Sequence, residues 1–519
     1  MTPGARLAAA AAAAAALAFA PGVAATRVAA FASAASCESV ASLKLANATI
    51  TSASVVDAGA FTATDGPDGP RDGSAFARLP AFCRVAATLE PSSDSDIKIE
   101  VWLPAAGWNG KFEGVGNGGW SGAIAYTAMA AQLARGYATA STDTGHAGSV
   151  VDGSFALGHP EKLIDFAYRA VHEMTLDAKA IVAAYYGNAP RLAYWNGCSS
   201  GGKQGLKEAQ KFPADYDGIV AGAPANYWTH LMVGSMWIAQ ASLKDPASLI
   251  PSSKYGLVHK AVIDACDAAD GVKDGVLENP LACHFDPKTL QCAGEDQPNC
   301  LTAAQVETAR RIYAPATNPR THEPIFPPLT PGSELAWGGL AGPRPMPIAA
   351  DYFKYVVFRN PAWDFKTLDF DKDVARADAI DAGTINAVDP NMDAFFGRGR
   401  KILMYHGWSD QLIAPQNSIN YYNRVVEARG GADKAKDDIR LFMIPGMAHC
   451  GGGEGPNTFD ALGALEQWVE RKKAPNQLVA SRTNRGATVT RPLCPYPQVA
   501  LYNGSGSTDE AASFTCRAR

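Results

Sequence analysis

The sequence predicts an α/β fold in which a mostly parallel sheet, flanked by helices, is interrupted by one long insertion. Three observations carry this. Short apolar runs alternate with helical patterns between about Lys98 and Ala221, the same rhythm returns near Lys401, and between Asn226 and about Gly397 it is lost. With 519 residues, 47% hydrophobic and 19% charged, the chain is long and apolar enough to bury a large core and form more than one structural unit.

Taken in order, the first 25 residues carry one cation at Arg6, a Leu/Ala run from Leu7 to Ala20, and small residues through Ala25. That pattern is expected of a signal peptide, so the mature chain is expected to be secreted or periplasmic. No later apolar stretch reaches the length of a membrane span. Expected strands are Lys98 to Leu103, Lys111 to Val115, Tyr137 to Ser141, Leu192 to Trp195 and Gly218 to Ala221. Between the third and fourth, Asp165 to Tyr186 has helical spacing and stops at Gly187, which suits a helix C-terminus. After the insertion, KILMYHG (401–407) and IRLFMIPG (439–446) read as the last two buried strands, with helices over Gln416 to Arg429 and Ala461 to Lys473. The expected division is therefore a signal peptide (1–25), a catalytic domain (26–225 and 398–519) and a lid domain (226–397).

The formal net charge of −5 gives no surface that would attract nucleic acid or an anionic membrane, so a small or neutral partner is the better expectation. Ten cysteines in an exported chain are expected to pair as disulfides, and the spacings of Cys266 with Cys283, Cys292 with Cys300, and Cys494 with Cys516 suggest short local loops. No CxxC and no paired HxxxH points to zinc.

The chemistry concentrates at Gly197-Cys198-Ser199-Ser200-Gly201. This G-x-S-x-G follows an expected strand and opens a helix-like run, the context in which a sharp turn lifts a serine hydroxyl to the carboxyl edge of a sheet. A serine needs an imidazole to take its proton, and the imidazole needs a carboxylate to fix its tautomer. Asp410 follows KILMYHG and His449 follows IRLFMIPG, giving the Ser, Asp, His order of α/β-hydrolases. His406 precedes the acid and His146 lies early in the chain, so each is expected to order a loop or touch substrate, and Asp143 to serve loop hydrogen bonding. Cys198 precedes the serine and Cys450 follows the histidine; if Ser199 meets His449, these cysteines fall within disulfide range. Expected oxyanion donors are the Ser200 N–H and one from the loop Gly116-Asn117-Gly118-Gly119, with Gly118 and Gly119 the candidates.

GNGGW (116–120), STDTGH (141–146), WNGCSSGGKQG (195–205), YDGIVAGAPAN (216–226), HGWSDQLIAP (406–415) and PGMAHCGGG (445–453) together resemble the tannase and feruloyl esterase family, which also contains the enzyme hydrolysing mono(2-hydroxyethyl) terephthalate. The resemblance implies an α/β-hydrolase core with an inserted lid, the triad Ser199, Asp410 and His449, and a Cys198 to Cys450 disulfide. It further implies bridges Cys37 to Cys83, Cys266 to Cys283, Cys292 to Cys300 and Cys494 to Cys516. It also implies a structural Ca2+ in the lid, held by Asp267, Asp270 and Asp274 with the carbonyls of Val272 and Val276, hard oxygen donors of the kind calcium takes. The implied substrate is a small aromatic ester, free or attached to plant polysaccharide or tannin, with ferulate ahead of gallate and of terephthalate monoesters. A silent phenolic- or carbohydrate-binding relative is the non-enzyme alternative. Lid aromatics such as Trp228 and Trp237, and Arg344, are candidate substrate contacts.

Overall fold

Why the sheet mixes two kinds of strand is legible in burial. The computed structural model describes residues 36–64, 66, 73–484 and 486–518; the expected signal peptide lies outside them. In chain order the strands are β1 (Ala48–Val56), β2 (Phe82–Leu89), β3 (Ile97–Pro104), β4 (Lys111–Val115), β5 (Ala138–Thr142), β6 (Leu192–Cys198) and β7 (Gly218–Gly222). A short pair, β8 (Ala316–Thr317) and β9 (Pro324–Phe326), falls in the insertion. There follow β10 (Lys401–Gly407), β11 (Ile439–Ile444), and two C-terminal hairpins, β12 (Leu478–Asn484) with β13 (Ala487–Leu493) and β14 (Gln498–Tyr502) with β15 (Phe514–Ala518).

Nine strands make the main sheet, in the order β1-β2-β3-β5-β4-β6-β7-β10-β11. From β5 to β11 every pairing is parallel, and β5 and β7 are buried along their whole length, as strands covered by helices on both faces must be. At the other edge β1, β2 and β3 pair antiparallel, and β1 is largely exposed. Sequence reading missed β1 and β2; in β1 (ATITSASVV) the alternation rests largely on small residues and slips phase where the pairing is irregular between Ile50 and Ser52.

The expected helix over 165–186 is present with a different start: Asp165–Arg169 forms a π-helical turn and Ala170–Tyr186 the α-helix, ended by Gly187 at φ 72°. The segment between β7 and β10 is helical apart from β8 and β9, and its long helix Trp228–Leu243 packs in one apolar cluster with Trp120 and Phe166 of the core. Polar clamps add to that packing. The Trp120 indole N–H donates to the Ile348 carbonyl at 3.0 Å, and His259 reaches Glu334 at 2.8 Å and Glu454 at 2.7 Å. No helix among the described residues is long and apolar enough to cross a membrane.

All ten cysteines pair, as Cys37–Cys83, Cys198–Cys450, Cys266–Cys283, Cys292–Cys300 and Cys494–Cys516. The Cys198–Cys450 bridge, closing a separation of 252 residues, has by far the longest loop. On chain-entropy grounds it removes about 5 kcal/mol of freedom from the unfolded chain.

Candidate active site

β6 ends at Cys198, and Ser199 turns the chain at φ 63°, ψ −123° into the helix Ser200–Lys211. A positive φ is costly for a residue with a Cβ and persists only where the surroundings over-determine it. Here the Ser199 N–H donates to the Gly222 carbonyl at 3.0 Å, and the Ser199 carbonyl accepts from the N–H groups of Lys203 at 3.0 Å and Ala225 at 3.1 Å. Glycine neighbours make the turn sterically possible. A Cβ on Gly197 would stand 2.5 Å from the Gly201 backbone, and one on Gly201 would stand 3.0 Å from the Gly116 Cα.

Asp410 and His449 come from the loops after β10 and β11, which backbone bonds hold together: Trp408 N–H donates to the Ile444 carbonyl at 2.8 Å and Ser409 N–H to the Met447 carbonyl at 2.9 Å. His449 Nδ1 lies 2.7 Å from Asp410 Oδ2. The other Asp410 oxygen accepts the N–H groups of Leu412 at 2.8 Å and Ile413 at 2.9 Å. Burial opposes ionisation of Asp410, but the neighbouring His449 charge and the two imidazole bonds win, holding its carboxyl well below the usual carboxylate range. Burial likewise opposes charge on His449, yet Asp410 raises its basicity above the ordinary value of 6.5.

His406, expected to order a loop or touch substrate, sits in β10 and bonds the acid itself. Its Nε2 lies 3.1 Å from Asp410 Oδ2 and 3.0 Å from the Ile413 carbonyl, two acceptors, so that nitrogen carries the proton. Nδ1 then accepts from the Ser418 hydroxyl at 2.7 Å. Asp410 is thereby fixed by two imidazoles and two backbone N–H groups.

Opposite the serine, the loop after β4 spends most of its N–H groups. Asn117 donates to Gln204 Oε1 at 3.0 Å and Trp120 to the Val150 carbonyl at 2.9 Å, whereas Gly118 and Gly119 have no N–H acceptor among the described residues. Gln204, which sequence reading did not single out, also donates to Asn117 Oδ1 at 3.2 Å, and the Ser200 hydroxyl donates to the Gly119 carbonyl at 2.9 Å. Loop and helix are therefore held as one unit.

Gly116 to Gly119, Ser199, Ser200 and His449 line one cavity of about 420 Å3. The insertion closes it with Trp228, Leu231, Met232, Met346 and Ile348, and Val150, Leu412 and Ile413 add further apolar wall. A serine beside a buried Asp–His pair, facing unspent N–H donors, is equipped for acyl transfer.

A model of the family described as tannase and feruloyl esterase matches residues 83–517. The chain belongs to this family. It is a carboxylic ester hydrolase of that family, and its sheet and helices are those of an α/β-hydrolase. An uncharacterized esterase of Xanthomonas campestris pv. campestris is 38% identical, over 92% of this chain and 90% of its own length. A probable feruloyl esterase B-2 of Neosartorya fischeri is 35% identical, over 84% of this chain and 86% of its own. The crystal structure of feruloyl esterase B from Aspergillus oryzae superposes with a TM-score of 0.85 at 33% identity, covering 93% of this chain and 99% of that one.

Of the remaining sequence candidates, Trp228 lines the cavity and His146, Asp143, Trp237 and Arg344 do not. His146 is buried against Phe155, ring centroids 3.5 Å apart, with Nε2 on the Trp120 carbonyl at 2.7 Å; burial lowers its pKa to about 4. Asp143 accepts the N–H groups of Lys98 and Gly145 at 2.9 and 2.8 Å, a loop role, and burial raises its pKa to about 7. Of the lid aromatics, Trp228 alone lines the cavity; Trp237 packs under Arg311, and Arg344 is exposed outside it.

Asp267, Asp270 and Asp274 share one tight loop, in which Asp267 accepts from Gly275 N–H at 3.2 Å, Asp270 from Val272 N–H at 2.9 Å, and Asp274 from Val276 N–H at 3.1 Å. Glu278, which sequence reading missed, joins them. Burial first, and then the charges of Asp270 and Asp274, push its carboxyl up to about 8. Mutually repelling carboxylates at a shared turn suit a hard divalent cation in donor chemistry, although Arg491 already neutralises one Asp274 oxygen.

Proposed function

We propose that this enzyme hydrolyses esters of phenolic acids of the feruloyl type, with Ser199 as nucleophile, His449 as general base and Asp410 as the carboxylate that orients it. The observation that carries the reading is the 2.7 Å Asp410–His449 pair opening, beside the positive-φ Ser199, into an apolar cavity. His449 takes the serine proton as the hydroxyl attacks the ester carbonyl. The N–H of Ser200 and that of Gly118 or Gly119 hold the oxyanion, and His449 returns the proton to the leaving alcohol. Water then repeats the sequence on the acyl-enzyme. With its Nδ1 committed to Asp410, the imidazole presents Nε2 as the base, and its raised basicity suits proton capture.

The cavity wall favours one acyl group over its rivals. Its lining carries no Lys or Arg to meet the free carboxylate of a terephthalate monoester, and few side-chain partners for the three hydroxyls of a gallate; burying either group unpaired is costly. A methoxylated hydroxycinnamate buries mostly apolar surface there, and several relatives are named as feruloyl esterases. Ser199→Ala is expected to fold with unchanged circular dichroism and lose at least about 10⁴-fold in kcat for methyl ferulate. Retained activity refutes the serine. Equal kcat/KM for methyl ferulate, methyl gallate and a terephthalate monoester refutes the substrate reading alone.

We further propose export behind the leader at residues 1–25, which five disulfides support. We also propose a structural Ca2+ held by Asp267, Asp270, Asp274, Val272 and Val276, with Glu278 beside them. It would cross-brace the lid loop and take no part in the chemistry. Chelation is expected to lower stability by about 2–4 kcal/mol, read as a calcium-reversible fall in Tm. An unchanged Tm removes the ion.

A further inference from the structure

At the end of the sheet away from Ser199, three side chains from three segments converge without a role in ester hydrolysis. Glu208 lies nine positions after Ser199 on the same helix, about 13 Å along its axis. His172 comes from the neighbouring helix Ala170–Tyr186, and Asp215 from the turn that leads into the amino end of β7. One nitrogen or oxygen from each lies within 4.8 Å of the other two.

Glu208 makes this more than an acidic cluster. It is 1% exposed, and neither of its carboxylate oxygens has a hydrogen-bond donor. It faces the Asp215 carboxylate, and two carboxylates that meet without a donor between them require a bridging cation or a shared proton. The remaining partners are already engaged in holding the frame. His172 stacks on Phe212 with ring centroids 3.6 Å apart, which fixes its plane, and Lys179 donates to the Asp215 backbone carbonyl. Neither group donates a hydrogen bond to the Glu208 oxygens, although the Lys179 charge acts on that carboxylate.

We propose that His172, Glu208 and Asp215 form a binding site for a divalent transition-metal ion of the Zn2+ class, which ties the far end of the nucleophile helix to its neighbour. The imidazole nitrogen beside the two carboxylates favours such an ion over Ca2+, which takes oxygen donors alone. His172 Nδ1 and Asp215 Oδ2 are 2.7 Å apart, so ligation opens that pair by about 0.7 Å to reach the tetrahedral ligand spacing set by Zn–N and Zn–O bonds of about 2.1 Å. The His172 side chain is 21% exposed, which gives an ion its way in and a water its place as fourth ligand. Because His172 lies on a different helix, well ahead of Glu208 and Asp215 in the chain, no local spacing motif announces them.

The test uses the full purified chain, stripped with a chelator, desalted, and kept in excess Ca2+ so that the lid loop does not compete. Calorimetric titration with Zn2+ is expected to show one equivalent bound, with Tm rising on addition. Glu208→Gln, isosteric and uncharged, is expected to weaken binding by about 100-fold or more. Should Glu208→Gln fail to fold, His172→Gln at the half-buried ligand takes its place, with the same expected loss. Co2+ in place of Zn2+ should give a ligand-field spectrum in the wild type that either variant lacks. No stoichiometric binding by the wild type overturns the proposal, as does equal binding in the variants. A metal-free Glu208→Gln as stable as the parent overturns it in favour of a proton shared by Glu208 and Asp215.

Discussion

Around Ser199 most hydrogen bonds involve a backbone atom and the rest join polar side chains such as Asp410 and His449, whereas the wall that the insertion places across the cavity is side chains alone. On the sheet side, Gly197, Gly201 and Gly116 touch at distances that leave no room for a methyl group, and Asp410 is held by four donors. On the insertion side, Trp228, Met232, Met346 and Ile348 meet the cavity through apolar atoms that other apolar residues can replace. Rate should therefore live in the first region and substrate choice in the second.

The comparison breaks most visibly at Asp410. Asp410→Asn is expected to lower kcat by about 10⁴-fold, because an amide can present its N–H to His449 and favour the wrong tautomer. The same pair sets the pH profile. His449 must be neutral to accept the serine proton, and Asp410 raises its pKa, so kcat/KM in the parent should climb with pH through a value above 6.5. A parent profile already flat below pH 6.5 contradicts the coupling. Gly197→Ala comes next, with about 1–3 kcal/mol of stability lost, read as a lower denaturant midpoint at unchanged m-value. Full stability in this variant would mean that the turn has slack the structure does not show. Smallest is Ile348→Ala, where about 10-fold in kcat/KM is expected for methyl ferulate, with kcat for a small acetyl ester little changed. A loss of kcat for both esters would place the insertion wall in the rate-determining machinery and erase the distinction.

Sequence alone reached the sheet side far better than the insertion. Parallel strands such as KILMYHG and GIVAG announce themselves by unbroken apolar runs, and Ser199, Asp410 and His449 each follow one. In the helix Ser200–Lys211, charge alone does not report burial: Lys203, Lys207 and Glu208 are all buried. The Lys203 side-chain nitrogen lies over the rings of Phe166 and Trp228, and Lys207 donates to the Gly383 carbonyl at 2.8 Å, so core and insertion together supply what water would have supplied. Gln204 escaped, and His406 showed only as a candidate to order a loop or touch substrate, because their importance rests on partners: a loop residue 87 positions away and a buried aspartate. Met346 and Ile348 carry no chemistry that a motif could report, and only the folded chain brings them to the cavity.

The Cys198–Cys450 bridge spans everything between the two catalytic strand ends, the whole insertion included. A protease that cuts anywhere in that stretch therefore yields two fragments, one ending the serine's side and one carrying the histidine, that cannot part. The enzyme can be nicked in the insertion and remain a single molecule until a reductant reaches it.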